Sequence, residues 1–312
     1  MSYKYRFSVF TATYNRGGKL RKLYEDLKKQ TFKDFEWVIV NDGSEDDTDS
    51  VIKSFIEENV LNIQYRKKSN GGKHTAWRIA TPLFLGRYVV TADDDDPIAP
   101  NMLEVFEKYW KELEKQENYD DFWEVKTRCV RQNGKLVGKE LPSDVFDSDF
   151  NTFSYILKMS CEMVGCRKVE VLRREAAVPE LFPYMDNASN FDEQIRWSRA
   201  ARKYKTRFVS DVTRVYMQTE NSLCDNVLSR CLSGNKRIIA NKMVEFHFAL
   251  LERRDIMFKH NIKQYFKSII GYSLLTTLTN NFSRLKEINF LDRIFIYSCV
   301  PLCKIYLLVK GK

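Results

Sequence analysis

The ten residues from Tyr88 to Pro97 read YVVTADDDDP, and they decide how the rest of the chain is interpreted. The first five are apolar, aromatic or β-branched, which is typical of a buried strand. The four carboxylates that follow repel one another unless a cation neutralises them. Oxygen ligands suit Mg²⁺ or Mn²⁺, which leave positions open for phosphate. A solvated acidic loop is the alternative. We favour a metal site, because an amphipathic helical pattern follows the run.

Strand-like and helix-like segments alternate around this stretch, through the first 110 residues. The predicted strands cover residues 7–13, 35–40, 63–65 and 88–92, and the helices cover 19–29, 51–56, 76–83 and 103–113. This order predicts βαβ units and an α/β fold with a mostly parallel sheet flanked by helices. Ligands of such sheets bind beyond the carboxyl ends of the strands, so the polar clusters that follow three strands should converge on one crevice.

The remainder of the chain is less regular. A hairpin around Asn133-Gly134 is expected from residues 126–131 and 135–137, and residues 191–204 and the chain from Asn235 onward have helical patterns. We divide the chain into residues 1–115, residues 116–220 and a helical region, 221–312.

The basic charge is concentrated at the C-terminal end. The whole chain has a net charge of +9, and residues 252–312 hold 11 Lys and Arg against 4 Asp and Glu. This asymmetry indicates an anionic partner. We interpret the C-terminal region as an element that contacts an anionic membrane surface. A helical cap packed on the α/β part of the chain is an equally good interpretation.

The cysteines and the termini indicate a cytoplasmic protein. The seven cysteines form no C-x-x-C pair, so we expect reduced thiols and no structural zinc site. We find no signal peptide and no apolar run of 18 residues; the nearest, residues 294–309, contains Pro301 and Lys304.

Three further polar clusters have an ordinary structural interpretation beside a functional one. Asp42-Gly43-Ser44 could contact a nucleobase or ribose, or form a turn with a helix cap. The segment from Asn70 to His74 could hold a phosphate, or be a plain loop. Asp192-Glu193 could supply a general base, or stabilise the first turn of a helix.

In order and spacing, these clusters together resemble the family 2 glycosyltransferases, which are inverting enzymes with the GT-A fold. The segments that carry the resemblance span roughly 200 residues, and they are FSVFTATYN (7–15), FEWVIVNDGS (35–44), NGGKHTA (70–76), the stretch 88–97 and FDEQIRWSR (191–199). Members similar to this chain build bacterial surface polysaccharides such as capsule or teichoic acid.

The resemblance implies a role for each matched residue. Asp95 would be the direct ligand of Mn²⁺ or Mg²⁺, with Asp93 reaching the metal or the ribose. Glu193 would be the catalytic base, with Asp192 beside it in an order inverted from the usual Glu-Asp pair. The implied contacts to the nucleotide-sugar are Thr11, Thr13, Tyr14, Asn15, Asp42, Asn70, Gly72, Lys73, Asp93 and Asp94.

The expected function is therefore transfer of a sugar, with inversion, from a nucleoside-diphosphate donor such as a UDP-sugar to an acceptor hydroxyl. The resemblance implies a saccharide acceptor, and membrane contact would suit a lipid-linked one at the inner face of the plasma membrane. A metal-dependent nucleotidyltransferase is the first alternative, with only Arg16, Lys19 and Arg21 available to bind a triphosphate. A non-enzymatic basic protein that binds nucleic acid or membrane is the second. We expect no nucleic-acid partner, since no recognition module is present.

Overall fold

The computed structural model describes residues 3–176, 198–217 and 227–311 of the protein. Its first part alternates strands and helices in the predicted order: β1 (Tyr5–Thr13), α1 (Gly17–Lys28), β2 (Phe35–Asn41), α2 (Thr48–Glu58), β3 (Ile63–Lys67), α3 (Lys73–Ala80), β4 (Gly86–Thr91) and α4 (Met102–Glu114). The middle part adds β5 (Phe122–Arg131), β6 (Val145–Ser148), β7 (Met163–Lys168), α5 (Val169–Ala176) and β8 (Lys205–Tyr216). The last part is helical: α6 (Val227–Leu232), α7 (Lys236–Glu252), α8 (Arg254–His260), α9 (Ile262–Thr279) and α10 (Phe290–Val309).

The strands form one sheet in the order β3-β2-β1-β4-β7-β5-β8-β6. Strands β3, β2, β1 and β4 are parallel neighbours, and β5 is parallel to β8. Strand β7 is antiparallel to both β4 and β5, and β6 is antiparallel to β8. The predicted α/β fold, with a mostly parallel sheet, flanking helices and a helical C-terminal extension, is confirmed.

Helices cover both faces of the parallel part, which explains why its strands are so apolar. All seven residues of β2 are buried. On one face, Tyr24 of α1, Trp37 of β2 and Phe55 of α2 form a cluster of stacked rings. On the other face, Phe10 of β1 contacts Trp77 of α3, with ring centroids 4.4 Å apart. The parallel strands are therefore fixed firmly enough to position the loops at their ends.

The chain divides into two compact units. The first holds Met1–Asp149, Met159–Pro183 and Ala200–Glu220, and the second holds Phe150–Lys158, Tyr184–Arg199 and Asn221–Lys312. Because one sheet runs through residues 5–216, the predicted division at residue 115 falls inside the first unit and stays a prediction. In residues 3–176, 198–217 and 227–311, no helix has the length and apolar character needed to span a bilayer.

Two smaller predictions concern the loops and the thiols. Lys135 accepts a backbone hydrogen bond from Arg131, and Val130 forms an antiparallel bridge with Leu136, so the predicted turn forms, with a single bridge in place of a second strand. Six cysteines lie in the described part of the chain, and all six are free thiols.

Candidate active site

The polar segments that follow β1, β2 and β4 meet at one edge of the sheet. These strands are parallel neighbours, so their carboxyl ends point the same way. The hydroxyl of Thr13, at the end of β1, donates a hydrogen bond of 2.7 Å to Asp94, which follows β4. The backbone amide of Asp42, after β2, donates to the carbonyl of Thr13 at 2.8 Å. The structure therefore brings three of the predicted segments together.

Asp42 organises the loop that precedes α3. Its carboxylate accepts hydrogen bonds from the backbone amides of Gly71, at 2.9 Å, and Gly72, at 2.7 Å, and forms an ion pair with Lys68. Gly43 has a φ of +83°, and a Cβ there would lie 2.7 Å from the Asn70 backbone nitrogen, so only glycine allows this close approach. The predicted contacts Asn70 and Gly72 are therefore placed beside Asp42.

The loop after β1 is locked onto the loop after β2. The backbone amide of Asn15 donates to the Ser44 hydroxyl, and the Asn15 side chain accepts from the Glu45 backbone amide, both at 2.9 Å. Asn15 has a φ of 53°, in the left-handed region that asparagine tolerates better than most residues. Tyr14 beside it is exposed. A nucleoside at this edge would therefore meet a rigid loop with an aromatic ring available for contact.

Asp93 is neutralised from two directions. Lys73, on α3, donates to its carboxylate at 2.6 Å, and Arg214, on β8, donates at 3.2 Å. Burial raises the pKa of Asp93, but the two cations outweigh it and lower the pKa to about 2. Asp93 is therefore ionised at neutral pH, as a metal ligand must be.

Arg16, which follows the loop after β1, bridges the next two carboxylates. Its guanidinium donates to Asp94 at 2.7 Å and to Asp95 at 2.6 Å, and the amine of Lys19 lies 3.7 Å from Asp95. Burial raises the pKa of Asp94. The side chain of Asp95 is 27% exposed, so it remains accessible to a ligand from solution.

Asp96 has a structural role. It accepts a hydrogen bond of 2.8 Å from the backbone amide of Met217 and lies 3.4 Å from Arg214. Burial raises the pKa of Asp96 to about 6. Arg214 is itself buried, and it also donates to Glu162 at 2.6 Å. One buried arginine thus ties both ends of the acidic run to strand β8.

Sequence reasoning assigned no function in the transferase site to Arg16 or Arg214. Arg16 directly follows the predicted segment Thr13–Asn15, and a cation next to a predicted nucleotide contact was a usable signal. Arg214 has no such signal, because it is 121 residues from Asp93 in an irregular region.

Thr11 differs from the other predicted nucleotide contacts. Its side chain is fully buried; its hydroxyl donates to the carbonyl of Ala92 at 2.8 Å and accepts from the Trp37 indole at 3.0 Å. Thr11 therefore joins the strands beneath the site and offers no exposed atom to a nucleotide in this structure.

The acidic run fits a divalent cation that is shared with a substrate. Asp93 and Asp95 are carboxylates whose side chains are 31% and 27% exposed. In the part of the chain that the structure describes, no three His, Cys, Asp or Glu side chains form a complete metal site. Mg²⁺ is commonly held by one or two carboxylates together with substrate phosphates, so this donor set is compatible with such an ion.

The predicted catalytic pair, Asp192 and Glu193, lies outside the described residues, as does Trp197. Of that segment the structure describes Ser198 and Arg199. Arg199 forms an ion pair with Glu252 of α7, and Ser198 donates to Asn151 at 2.7 Å. These contacts tie the end of the segment to the second unit.

Comparison with known sequences identifies the relatives of the first part of the chain. Residues 8–133 match the family model described as glycosyl transferase family 2. The minor teichoic acid biosynthesis protein GgaB of Bacillus subtilis is 31% identical over 119 residues, which cover 36% of this chain and 13% of GgaB. The GalNAc(5)-diNAcBac-PP-undecaprenol beta-1,3-glucosyltransferase of Campylobacter jejuni is 32% identical over 103 residues, 31% of this chain and 32% of the relative. The chain thus spans about a third of that relative and much less of GgaB.

Solved structures extend the likeness over nearly the whole chain, at identities that establish the fold alone. Staphylococcus aureus TarS (residues 1–349), in complex with UDP-GlcNAc, superposes with a TM-score of 0.55 and 18% identity, over 90% of this chain and 73% of TarS. The mannosyltransferase PcManGT of Pyrobaculum calidifontis, in complex with GDP-Man and Mn²⁺, has a TM-score of 0.56 and 14% identity, over 99% of this chain and 85% of its own. The predicted resemblance of this chain to the family 2 glycosyltransferases is therefore confirmed, with residues 8–133 as the segment that carries it.

Proposed function

We propose that this protein transfers a sugar from a nucleoside-diphosphate sugar, with UDP as the proposed carrier, to an acceptor hydroxyl. The transfer would invert the configuration at the anomeric carbon. The observation that carries the proposal is the meeting of Asp42, Asp94 and Arg16 at the carboxyl edge of the parallel strands. This edge is where open α/β sheets bind their ligands. The solved TarS and PcManGT complexes, with UDP-GlcNAc and GDP-Man, are consistent with a nucleotide-sugar donor.

Different residues at this edge would bind different parts of the donor. Asp42 and the loop at residues 68–72 would hold the nucleoside, with Tyr14 and Asn15 on its other side. Arg16 and Lys73 would supply positive charge to the diphosphate, since both already hold carboxylates beside it. Fixing both substrates in a reactive orientation can lower the barrier by about 7 kcal/mol or more.

Asp95, with Asp93, would hold a Mn²⁺ or Mg²⁺ ion. When bound, such an ion offsets the negative charge that develops on the leaving diphosphate. Asp93 contributes by staying ionised at neutral pH, because Lys73 and Arg214 lower its pKa to about 2. PcManGT, a structural neighbour, was solved with Mn²⁺.

Glu193 would remove the proton from the acceptor hydroxyl as it attacks the anomeric carbon, with Asp192 beside it. Direct attack from the face opposite the leaving group inverts the configuration in one displacement. This assignment rests on the family pattern in residues 191–199.

The names of two relatives support a proposal for the acceptor class. GgaB is named for teichoic acid biosynthesis, and the Campylobacter relative is named for an undecaprenol-linked glycan. We therefore propose a lipid-linked saccharide acceptor in bacterial surface polysaccharide synthesis, used at the cytoplasmic face of the membrane. The three-part division of the chain, with donor-binding residues 1–115, acceptor-binding residues 116–220 and the helical region 221–312, is part of the same proposal.

A donor panel tests this function. Calorimetry with UDP-, GDP- and dTDP-sugars and with UTP, each with and without Mn²⁺, should show metal-dependent binding of a nucleoside-diphosphate sugar. Glu193→Gln should keep that binding and lose transfer, and NMR of the product should show the inverted anomer. Tight binding of UTP with release of pyrophosphate would instead support a nucleotidyltransferase. Absence of nucleotide binding in the intact chain would refute both.

A further inference from the structure

The two longest helices of the second unit pack together through one face each. Tyr265 of α9 donates to Asp292 of α10 at 2.7 Å, and Ser273 of α9 donates to the carbonyl of Ile296 at 3.0 Å. Asp292 is fully buried and also pairs with Arg254. These contacts fix which sides of α9 and α10 face inward, and therefore which sides face solvent.

The outward side of this pair is apolar. On α8 and α9, exposed apolar residues recur every four positions. On α10, six of the exposed apolar residues each lie three, four or seven positions from another of the six, as on one side of a helix. The side chains are Phe258, Ile262, Phe266, Ile270, Leu291, Ile294, Phe295, Leu302, Ile305 and Val309. We call these ten residues the outer apolar surface.

The outer apolar surface is continuous across the two helices. The rings of Phe266 and Phe295 lie 6.3 Å apart in an edge-to-face contact, so the rows on α9 and α10 meet. The members are well exposed: Ile270 is 54% exposed, Leu302 69% and Val309 79%. An apolar patch of this kind marks a site of interaction with a protein or a membrane.

A row of lysines runs beside it. Lys259, Lys263 and Lys267 are exposed and follow the apolar row on α8 and α9 one position later at each turn. Carboxylates are scarce: between residues 255 and 311 they are Asp255, Glu287 and Asp292. Asp292 is buried against Arg254, and Glu287 contacts His247 at 3.1 Å. Asp255 is exposed but pairs with Arg254, so the exposed charge around the outer apolar surface is mostly positive.

We propose that the outer apolar surface and its lysine row bind the interface of an anionic lipid bilayer. Apolar side chains beside lysines, with few carboxylates, complement anionic headgroups over an acyl region. A second copy of this chain would complement the apolar residues but would bring the same lysines together, so like charges oppose that occupant. The inference deepens the proposed function, on which it rests for the identity of the acceptor.

In the membrane-bound state, α9 and α10 would lie along the membrane–water interface. Neither helix needs to cross the bilayer, since the inward faces stay packed on the rest of the unit. A lipid-linked acceptor would then be met at the surface where its headgroup lies. The protein and its acceptor would then both diffuse on the membrane surface, which raises the rate at which they meet.

Vesicle sedimentation of the full chain tests this. We expect partition onto vesicles with about 30% phosphatidylglycerol to exceed partition onto pure phosphatidylcholine by about tenfold or more, and to weaken with salt. Lys263→Gln with Lys267→Gln should lower binding to anionic vesicles about tenfold and remove most of its salt dependence. Leu302→Ser with Ile305→Ser should lower binding to both kinds of vesicle.

The matched control is Lys53→Gln with Lys111→Gln, two exposed lysines of the first unit. It should leave partition unchanged. UDP binding measured without vesicles should be unchanged in every variant, which separates loss of membrane contact from misfolding. Equal binding of the lysine variant and the control would overturn the proposal. A dimer in light scattering that Leu302→Ser with Ile305→Ser dissociates, without vesicle binding by the parent chain, would overturn it in favour of self-association. Vesicle binding with no nucleotide binding would leave the surface standing and reject the proposed transferase.

Discussion

The guanidinium of Arg16 donates a hydrogen bond of 2.6 Å to the carboxylate of Asp95, although 79 residues separate them. The residue that we expect to hold the metal is thus already engaged by a cation of the protein. A metal ion at Asp95 competes with Arg16 for the same carboxylate, and a bound diphosphate offers Arg16 a new partner. Metal and nucleotide should therefore bind better together than either does alone.

We predict that saturating UDP tightens Mn²⁺ binding by about tenfold or more, and that Mn²⁺ tightens UDP binding by the same factor. Calorimetry in both orders of addition measures the coupling. Arg16→Gln should bind Mn²⁺ alone more tightly and show a smaller coupling, whereas the exposed Arg21→Gln should resemble the parent. Equal Mn²⁺ affinity with and without UDP in the parent protein would contradict this account.

Asp42→Asn should weaken both the loop at residues 68–72 and nucleotide binding. An amide has one oxygen in place of the two that accept from Gly71 and Gly72, and its NH₂ group would face a backbone donor. Hydrogen bonds to charged groups are worth about 1.5–3 kcal/mol each. We expect the free energy of unfolding in urea to fall by about that amount, and the Kd for UDP to rise. Asp121→Asn, at a half-exposed carboxylate, is the control and should change neither quantity.

Arg214→Met should destabilise the first unit strongly. The change leaves Asp93, Asp96 and Glu162 without their shared cation, and removing one partner of a buried ion pair costs about 3–5 kcal/mol. Urea unfolding measures the loss. Lys53→Met, which breaks the exposed pair with Asp49, should cost less than about 1 kcal/mol. Comparable losses in the two variants would show that Arg214 is not the organising cation.

Lys168 should make the free energy of unfolding depend on pH in the alkaline range. Burial lowers the pKa of Lys168 from 10.5 to about 8, although Asp120 opposes the shift. Between these values the unfolded chain binds a proton that the folded chain does not, so the free energy of unfolding rises with pH. The full rise is about 3 kcal/mol.

Lys168→Met should remove that rise and leave the contributions of other groups in place. Urea unfolding at about pH 7.5 and about pH 10, with the exposed Lys111→Met as control, isolates the difference. If the free energy of unfolding rose equally in the parent protein and in Lys168→Met between the two pH values, Lys168 would have to stay charged in the folded state.

Much of the fold follows from local pattern. The five apolar or aromatic residues within Phe35–Asn41 predict a buried strand, and the structure buries all seven residues of that strand. The leucines of α1 and the apolar stripe of α4 have the helical period, and both helices form within two residues of the predicted positions. The hairpin at Asn133-Gly134 was less well predicted, since the turn forms but the second strand does not extend. A turn is encoded locally, whereas the length of a strand depends on the partner beside it.

The sequence by itself determined which polar segments would meet, because parallel strands place their carboxyl ends at one edge and the alternation of strand and helix reveals that they are parallel. Only the tertiary structure decided how the charges at that edge are paired. Asp42 holds two loop amides, Arg16 bridges Asp94 and Asp95, and Arg214 reaches Asp93 across 121 residues. The tertiary structure also removed Thr11 from the surface by burying it between strands. Pairing and burial depend on which distant side chains packing brings within about 3–4 Å, and the period of a helix or strand carries no information about that.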